Sequence, residues 1–517
     1  MKIATVEQMR LCDRLTNAEY GISSLTLMEN AGRGTVAAMI RHFGPLAELK
    51  VLVFIGPGNN GGDGLVIARL LLEQGARPQV VSLLPLEKLQ GDAARNLALA
   101  RQLAVPLVTY LDENDLPLVE RMVAESDLLV DAIFGTGLRR EITGLLAAVI
   151  GCLNAGARPV VAVDIPSGLV GDSGLSLGVS VRAQLTCTYG LPKFALVESP
   201  GKEQVGLLEV VDIGIPAAVV ERIGITAEWL EDALLQPLIP ARGMASHKGT
   251  FGHLLVLAGS AGKGGAAVLC GLGAARSGAG LVTIAVPRML NGVVQGALPE
   301  AMTEVLSFSQ HCLSDTDYEQ LLAAAQGKEA VAVGPGLGTA EETGQLVRRF
   351  YRELRQPMVV DADGLNLLAG ELVVAPAGPR VLTPHPGEMA RLTGLATSEI
   401  QSKRRAVAAD FAKLHGVYLV LKGAATVIAA PDGRLAVNAT GNPGMAAGGM
   451  GDVLTGLIGG LLAQGVPPWE ASCLAVYVHG LAADRLVREG QPFGFLASEL
   501  AAEIPAAFKE VQDFAGL

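Results

Sequence analysis

The segment Val51–Gln74 reads VLVFIGPGNNGGDGLVIARLLLEQ, and it indicates the fold class. A short apolar run, Val51–Ile55, is followed by a glycine-rich stretch, Gly56–Gly64, and then by a helical pattern, Leu65–Gln74. A buried strand that passes through a glycine turn into a helix is the repeating unit of a doubly wound α/β sheet. The glycines contain a formal G-x-G-x-x-G match, which permits close approach of the backbone to a phosphate but is weak evidence alone.

The same strand-and-loop unit recurs along both halves of the chain. Each run is short, rich in branched side chains and followed by Gly, Pro or Asp, which is typical of parallel strands buried on both faces. The further runs are Gln79–Leu84, Leu128–Ile133, Val160–Ile165, Leu254–Ala258, Leu281–Val286, Ala330–Val333, Met358–Val360, Val381–Thr383 and Tyr418–Leu421. The sequence therefore predicts an α/β fold with two doubly wound sheets.

The 517-residue chain is too long for a single hydrophobic core. The first series of alternating strand and helix patterns ends at Gly214-Ile215-Pro216, and a helical pattern over Ala227–Leu235 leads into the second series. We therefore expect a boundary near residues 215–226, with one domain over residues 1–220 and another over residues 225–517. Because no sequence repeat relates the halves, we expect two different domains.

The composition argues against several classes of protein. A net charge of −11 disfavours nonspecific binding to nucleic acid or to anionic membranes, so neither is expected as a partner. The N-terminal segment has no apolar signal core, and the apolar stretch Ala446–Val466 contains Asp452 and many glycines, which indicates a buried loop and helix.

The six cysteines form no C-x-x-C pair, which favours reduced thiols in the cytoplasm. The Ala- and Gly-rich apolar composition favours a homo-oligomer.

Polar residues follow three strands of the first half, at the edge where ligands bind in open α/β sheets. Asn59, Asn60 and Asp63 lie inside the glycine-rich stretch, where a simple phosphate turn does not need them. The acidic ribose ligand of a dehydrogenase is missing, because the second strand run ends Leu83-Leu84-Pro85. The other two strand ends read Asp131-Ala132-Ile133-Phe134-Gly135-Thr136-Gly137 and Asp164-Ile165-Pro166-Ser167-Gly168.

Together these three motifs resemble the NAD(P)H-hydrate epimerase domain, over roughly residues 1–220 and including Met28-Glu29-Asn30-Ala31-Gly32. The resemblance implies a Rossmann-like three-layer α/β/α fold. It also implies that Asn60, Asp131 and Ser167 bind K⁺, an ion that prefers oxygen ligands. The residues implied to bind the hydrate are Asn59, Asn60, Gly61, Gly62, Asp63, Gly135, Thr136, Gly137, Leu138, Arg139, Arg140, Glu141 and Asp164.

Epimerisation requires reversible opening at the hydroxyl-bearing carbon, and therefore a group that moves protons. Asp164 is the first candidate for this role, and Lys193, which matches a lysine of the family, is the second. Arg139 and Arg140 are expected either to meet a phosphate or to form a solvated surface pair.

The strongest signal in the second half is Asn438–Asp452, which reads NATGNPGMAAGGMGD. Its last glycines precede an apolar helical pattern, Val453–Ala463, so their amides and the helix N-terminus form an anion hole. Asp452 lies beside this hole as a base for a hydroxyl group, which is the arrangement that phosphoryl transfer to an alcohol requires. The chain has no G-x-x-x-x-G-K-[ST] loop, which excludes a P-loop kinase.

This second half resembles the ribokinase-like superfamily, and within it the NAD(P)H-hydrate dehydratase domain, over roughly residues 225–510. The supporting motifs are His247-Lys248-Gly249, Gly259–Ala267, Gly334-Pro335-Gly336-Leu337-Gly338, Thr383-Pro384-His385-Pro386-Gly387-Glu388 and Leu421–Thr426. The resemblance implies that the adenine nucleotide is bound by Lys422, Gly423, Ala424, Ala425, Thr426, Gly448, Gly449 and Gly451. It implies that the hydrate contacts Ala266, Gly336, His385 and Asp452.

The metal site of this half is less well defined. Glu388 occupies the acidic position of the Asn-x-x-Glu motif of sugar kinases, where it organises Mg²⁺, but His385 replaces the Asn. This replacement puts the magnesium role in doubt and is compatible with recruitment of His385 to the substrate. Asp361 and Asp363 follow a strand and are expected either to add to a magnesium site or to form a turn.

The resemblance to these two domains implies a repair enzyme for hydrated NADH and NADPH. One half would epimerise the hydrate, and the other would dehydrate the S epimer at the expense of ADP, giving AMP and phosphate, with ATP as another possible donor. Two alternatives remain open from the residues alone. The second half could be a small-alcohol kinase, and the first half could be a non-catalytic nucleotide-binding module.

Overall fold

The computed structural model describes residues 1–372 and 376–514. The contacts divide the chain into two compact units, Lys2–Ala227 and Glu228–Leu517, with Met1 assigned to the latter. The division therefore falls next to the boundary expected at residues 215–226. Each unit contains one extended sheet covered by helices, and the predicted α/β class is confirmed.

The first unit is a seven-stranded parallel sheet in the order β3-β2-β1-β4-β5-β6-β7. Its strands are β1 Lys50–Ile55, β2 Arg77–Ser82, β3 Leu107–Thr109, β4 Leu128–Ala132, β5 Val160–Val163, β6 Leu185–Tyr189 and β7 Leu207–Val211. Its helices are α1 Val6–Tyr20, α2 Ser24–Phe43, α3 Asn59–Glu73, α4 Gly91–Gln102, α5 Leu116–Glu125, α6 Gly144–Ala155, α7 Phe194–Val197 and α8 Ala217–Ile223.

The strand order reverses direction between β1 and β4, which are hydrogen-bonded neighbours. In doubly wound sheets, the crevice at the carboxyl ends of such a strand pair is the usual ligand site. The two glycine motifs of this half follow these two strands, so the topology brings them together. The strands are buried on both faces, as their apolar runs predict.

The second unit is a ten-stranded sheet in the order β11-β10-β9-β12-β13-β14-β15-β16-β17-β8. Its strands are β8 Ala227–Trp229, β9 His253–Leu257, β10 Leu281–Val286, β11 Met302–Val305, β12 Ala330–Val333, β13 Met358–Val360, β14 Arg380–Leu382, β15 Tyr418–Leu421, β16 Thr426–Ala429 and β17 Leu435–Asn438. Its helices are α9 Asp232–Leu235, α10 Gly264–Arg276, α11 Asn291–Ala297, α12 Tyr318–Ala325, α13 Glu341–Glu353, α14 Asp363–Leu368, α15 Pro386–Thr393, α16 Thr397–Ser402, α17 Arg404–His415, α18 Met450–Ala463, α19 Pro468–Arg488 and α20 Ala497–Gln512.

The far edge of this sheet departs from the prediction. β15, β16 and β17 form an antiparallel meander, whereas only parallel strands were predicted. The helix predicted over Ala227–Leu235 is wrong, because the segment begins as β8 at the sheet edge and only its end is helical. The backbone N–H of Leu230 donates to the carbonyl oxygen of Val437 at 3.0 Å, so pairing with the sheet overrides the local helical pattern.

Glycines set the position of α18 against α10. A Cβ atom added at Gly456 would lie 1.9 Å from the carbonyl oxygen of Cys270, and one added at Gly273 would lie 2.2 Å from that of Val453. The two helices therefore pack backbone to backbone, which fixes the N-terminus of α18 over the sheet. Within the described part of the chain, no helix has the length and apolarity needed to cross a membrane.

Candidate active sites

A cavity of about 850 Å³ lies in the first unit, where β1 and β4 end. It brings together most of the residues predicted to bind the hydrate. These are Asn59, Asn60, Asp63, Gly135, Thr136, Gly137, Leu138, Arg139, Arg140, Glu141 and Asp164, and Lys193 joins them. The predicted loop clusters after the first, fourth and fifth strands therefore form one site.

The Asn- and Gly-rich motif of this site is helical. α3 begins at Asn59, so the motif forms its first turns and not a loop ahead of the helix. Gly61 and Gly62 do not line the cavity. A Cβ atom at Gly61 would lie 2.2 Å from the carbonyl oxygen of Gly56, and one at Gly62 would lie 2.9 Å from the Met28 thioether, so both positions serve close packing.

The two candidate proton carriers form a buried ion pair. Lys193 Nζ donates to Asp164 Oδ1 at 2.6 Å, and the Lys193 side chain is only 2% exposed. The same ammonium group donates to Thr188 Oγ1 and to the carbonyl oxygen of Tyr189. Asp164 has a φ of 65°, in the left-handed region that few non-glycine residues adopt. Such backbone strain clusters at functional sites, which supports the assignment of Asp164 and Lys193 to the reaction centre.

The motifs did not reveal two further ionisable groups of this cavity. Asp13 comes from α1 and Tyr189 from the end of β6. Desolvation raises the pKa of Asp13 to about 6 and the pKa of Tyr189 well above its ordinary value. Tyr189 shares a 3.0 Å hydrogen bond with Thr35. Both residues reach the site through tertiary packing, and no local pattern in the sequence indicates it.

Beside the cavity lies a buried group of oxygen atoms that includes the predicted potassium ligands. Ser167 Oγ donates to Asp131 Oδ1 at 2.5 Å, and the Ser167 N–H donates to Asp131 Oδ2 at 2.8 Å. Asn60 Nδ2 is buried without a hydrogen-bond partner, and its amide lies close to Gly135. Burial raises the pKa of Asp131 to about 6, although hydrogen bonds from Ser167 and Ile133 act in the opposite direction. This carboxylate is therefore one that a cation would stabilise.

Arginines line the outer part of the same cavity. Arg139 and Arg140 are exposed and form no ion pair with a described residue, as expected for a solvated surface pair. Both nevertheless line the cavity, as expected for residues that meet a phosphate. Arg10 joins them from α1, and its guanidinium donates to the carbonyl oxygen of Thr136 at 3.1 Å. Three cations that line one cavity suit an anionic ligand such as a pyrophosphate.

The second unit has its own cavity, of about 480 Å³, at the carboxyl ends of its central strands. The predicted residues that line it are Ala266, Gly336, Glu388, Gly448, Gly449 and Asp452. Lys263, Asp363 and Asn366 line it as well. Lys263 Nζ donates to Asp363 Oδ2 at 2.9 Å, and the same oxygen accepts from the Gly338 N–H, so Asp363 links two loops of the site.

Asp452 lies in the first turn of α18, whose N-cap is Gly449 with a φ of 90°. Only glycine adopts this conformation without strain, and it lets the backbone enter the helix beside the cavity. Desolvation, with the nearby Asp361 carboxylate, raises the pKa of Asp452 to about 7. A carboxylate with that pKa can accept a hydroxyl proton near neutral pH.

A charged network lies beneath this helix terminus. Lys422 Nζ donates to Asp361 Oδ1 at 2.6 Å and lies 3.8 Å from Glu388 Oε2. Thr455 Oγ1 donates to Asp361 Oδ2 at 2.7 Å. A Cβ atom at Gly451 would lie 3.4 Å from both Asp361 Oδ2 and Lys422 Nζ. Asp361 is therefore an anchor for Lys422 and α18 in this structure and not simply a turn former.

Other predicted residues lie outside the lining of the cavity. His385 is the N-cap of α15, where its Nδ1 accepts from the N–H groups of Gly387 and Glu388. Gly423, Ala424 and Ala425 lie between β15 and β16, and Thr426 begins β16, where its Oγ1 donates to the carbonyl oxygen of Gly423. Among the described residues, no group of three or more His, Cys, Asp or Glu side chains is arranged to hold a metal ion.

Comparison with known proteins gives two matching family models. The model described as YjeF-related protein N-terminus matches residues 24–195, and the model described as NAD(P)H-hydrate dehydratase matches residues 254–506. A relative from Moorella thermoacetica, named bifunctional NAD(P)H-hydrate repair enzyme Nnr, is 42% identical over 517 residues, which is 99% of this chain and 98% of that protein. The chain belongs to the bifunctional NAD(P)H-hydrate repair enzymes.

Other members and one solved structure agree with this family assignment. The repair enzyme of Escherichia coli is 36% identical over 449 residues, which cover 87% of this chain and 83% of that protein. A ribokinase-like superfamily protein from Enterococcus faecalis is 28% identical, with a TM-score of 0.50, over 56% of this chain and 97% of that one. The predicted pairing of an epimerase with a dehydratase is confirmed, and it replaces the small-alcohol kinase and the non-catalytic module as alternatives.

Proposed function

We propose that each unit of this repair enzyme performs one half of the reaction in its own cavity. The observation that carries this proposal is that each cavity is lined by a carboxyl group whose pKa is raised: Asp63 of α3 in the first unit and Asp452 of α18 in the second. The N-terminal unit would interconvert the R and S hydrates of NADH and NADPH. The C-terminal unit would then dehydrate the S hydrate.

The dehydration follows from the surroundings of Asp452. Hydroxide is a poor leaving group, and phosphorylation of the hydrate hydroxyl makes it a good one. Asp452 takes the hydroxyl proton, and the amides around Gly448 and Gly449 stabilise the charge on the transferring phosphoryl group. Lys422 supplies positive charge beside Gly451. With ADP as the donor, the phosphoryl group leaves AMP. Elimination of phosphate from C6, with release of a proton from C5 to water, then forms the C5=C6 bond of the dihydronicotinamide.

Magnesium would accompany the nucleotide in this cavity. Glu388 and Asp363 line it, and Mg²⁺ is commonly bound through one or two carboxylates, with phosphate oxygens and water completing its coordination. Because phosphate and water would supply the other ligands, a complete metal site made of protein side chains is not required, and the described residues contain none. The ion would neutralise charge on the phosphoryl oxygens.

Potassium would be held beside the N-terminal cavity by Asn60, Asp131 and Ser167. The Asn60 amide oxygen, the buried Asp131 carboxylate and the Ser167 hydroxyl supply the oxygen ligands that suit a hard cation. When bound, the ion supplies positive charge next to the first turn of α3. There it would help to hold the anionic ligand that Arg139 and Arg140 meet.

The test of this function uses the full chain with a mixed preparation of R and S NADPH hydrates. ADP or ATP is added with Mg²⁺ and K⁺, and absorbance of the restored dihydronicotinamide is followed. Recovery of both epimers with one nucleotide is expected, which would also identify the phosphoryl donor. Recovery that stops at one epimer would contradict the epimerase assignment, and no recovery with either nucleotide would contradict the dehydratase assignment.

Asp131→Asn is expected to abolish the response of the N-terminal unit to potassium. K⁺ should raise the unfolding temperature of this unit in the native protein, because a ligand that binds only the folded state stabilises it. The variant should show no such shift and should lose K⁺ stimulation of epimerisation. Asp127→Asn, an exposed carboxylate next to the same strand, is the matched control. An equal potassium shift in Asp131→Asn and in the native protein would contradict the assigned site.

A further inference from the structure

Asp63 differs from the other carboxylates of the N-terminal cavity because it has no partner. It lies near the start of α3, is only 8% exposed and lines the cavity. Its carboxyl group makes no hydrogen bond or ion pair with the described residues. Asp164, in contrast, is held by Lys193 and accepts further hydrogen bonds from Thr188 and Tyr189. A nine-tenths buried carboxyl group without a partner, facing a ligand cavity, is available to the ligand.

The charged neighbours of Asp63 favour its neutral form. Asp164 and Asp13 place negative charge near it, and Lys193, the cation among the described side chains that lowers its pKa, already pairs with Asp164. Tyr189 lines the same cavity and carries no charge at neutral pH, since its pKa is raised. Desolvation, followed by repulsion from Asp164 and Asp13, raises the pKa of Asp63 well above its ordinary value. Asp63 therefore keeps its proton to a higher pH than an ordinary aspartate does, which suits a proton donor.

We propose that Asp63 is the general acid of the epimerase site and that Asp164, held by Lys193, is the matching base. The proposal rests on the epimerase function assigned above to this cavity. The two carboxyl groups come from different elements that line the same cavity, since Asp63 belongs to α3 after β1 and Asp164 follows β5. Two carboxyl groups in different surroundings, one without a partner and one paired with a lysine, are a common acid and base pair in enzymes.

The step can be written with all atoms and electrons accounted for. Asp63 gives its proton to the C6 hydroxyl oxygen while the C6–O bond breaks, and the bond pair leaves with water. The lone pair of the ring nitrogen N1 forms the C6=N1 bond of a cation. A water molecule then adds to the other face of C6, and Asp164 accepts its proton. Proton exchange through water returns Asp63 to the acid form, so the net change is inversion at C6.

Asp13 is the competing carboxyl group, and two observations favour Asp63. Asp13 is an exposed residue of α1, and its pKa of about 6 leaves it mostly ionised at neutral pH. Asp63 is buried, and its pKa is raised further by two carboxylates, of which Asp13 is one. Asp13 thus contributes negative charge that favours the protonated form of Asp63.

The experiment compares the full-length native protein with Asp63→Asn and Asp63→Glu, using the purified R hydrate of NADPH. Epimerisation is measured without nucleotide by chromatographic separation of the epimers, between pH 5.5 and 9, after subtraction of the uncatalysed rate. Asp63→Asn is expected to lower kcat by about 100- to 10,000-fold with little change in KM, which is the usual contribution of general acid–base catalysis. The native kcat should fall at alkaline pH as Asp63 ionises. Asp63→Glu should keep this alkaline limb at a reduced kcat.

Three controls make the result specific. Dehydration of the S hydrate with ADP, in the same chain, reports whether the C-terminal unit is intact. Glu73→Gln changes an exposed carboxylate at the other end of α3 and should leave epimerisation unchanged. A native protein that fails to epimerise would contradict the proposed function itself. A native protein that epimerises, together with an Asp63→Asn kcat within threefold of it or an Asp63→Glu variant without the alkaline limb, would overturn the role of Asp63.

Discussion

Asp452→Asn is expected to lower kcat for dehydration of the S hydrate by about 100- to 10,000-fold while epimerisation continues at its native rate. The amide fits the same space at the start of α18 but cannot accept the hydroxyl proton. The anion hole remains, because the backbone around Gly449 does not depend on this side chain. KM for the hydrate and for the nucleotide should therefore change far less than kcat. The measurement is the restored dihydronicotinamide absorbance with purified S hydrate.

The pH dependence of the same step checks the role of Asp452 independently. A base must be deprotonated, so native kcat should rise with pH through about 7 and level off above it. The folded-state pKa lies above the unfolded value, so folding favours the protonated form, and stability is lost as pH rises through about 7. Asp452→Asn should thus unfold at a higher temperature than the native protein at pH 8 and show a smaller difference at pH 5.

Asp432→Asn is the matched control, because this exposed carboxylate lies in the turn between β16 and β17. It should leave both kcat and its pH profile unchanged. An Asp452→Asn protein that keeps the native rate, or that loses epimerisation to the same extent as dehydration, would remove Asp452 from the role of base.

The sequence alone was sufficient to predict those site residues that directly follow a strand. The residues after β1, β4 and β5 could be assigned to one cavity because parallel strands end at a common edge. The same argument placed Asp452 at a helix N-terminus, since glycines followed by an apolar helical run have few other structures. In these cases the motif and its structural context lie within about ten residues of each other.

Residues that reach a site through tertiary packing could not be predicted in this way. Asp13 comes from α1 and has no motif around it, yet its charge acts on Asp63. The burial of Lys193 could not be predicted either, because its local sequence is equally consistent with a surface lysine after a turn. Burial depends on what packs over a residue, and this information is spread over the whole chain.

Glycine motifs were ambiguous for a different physical reason. A glycine is required both where a ligand approaches the backbone and where another segment of the chain does. Gly61 and Gly62 belong to the second class, whereas Gly448 and Gly449 line a cavity. The strand β8 shows the same limit for secondary structure, because a sheet edge can recruit a segment whose local pattern favours a helix.

Lys193→Met is expected to destabilise the N-terminal unit by about 3–5 kcal/mol and to abolish epimerisation. The change keeps most of the side-chain volume but leaves Asp164 with an uncompensated charge, which is the costly way to break a buried ion pair. Thr188 and the Tyr189 carbonyl also lose their donor. The free energy of unfolding of this unit is measured by denaturant titration, and epimerisation is measured on the R hydrate.

A second substitution separates stability from catalysis. Lys193→Met combined with Asp164→Asn removes both charges, so it should recover much of the lost stability. It should not recover epimerisation, because both candidate proton carriers are gone. Lys88→Met, at an exposed lysine of the same unit, should change neither quantity. If the double variant epimerised at the native rate, the ion pair would be a structural feature of the fold, and the reaction centre would lie elsewhere in the cavity. If it is as stable as the native protein but inactive, the pair is needed for the reaction and not for the stability of the fold.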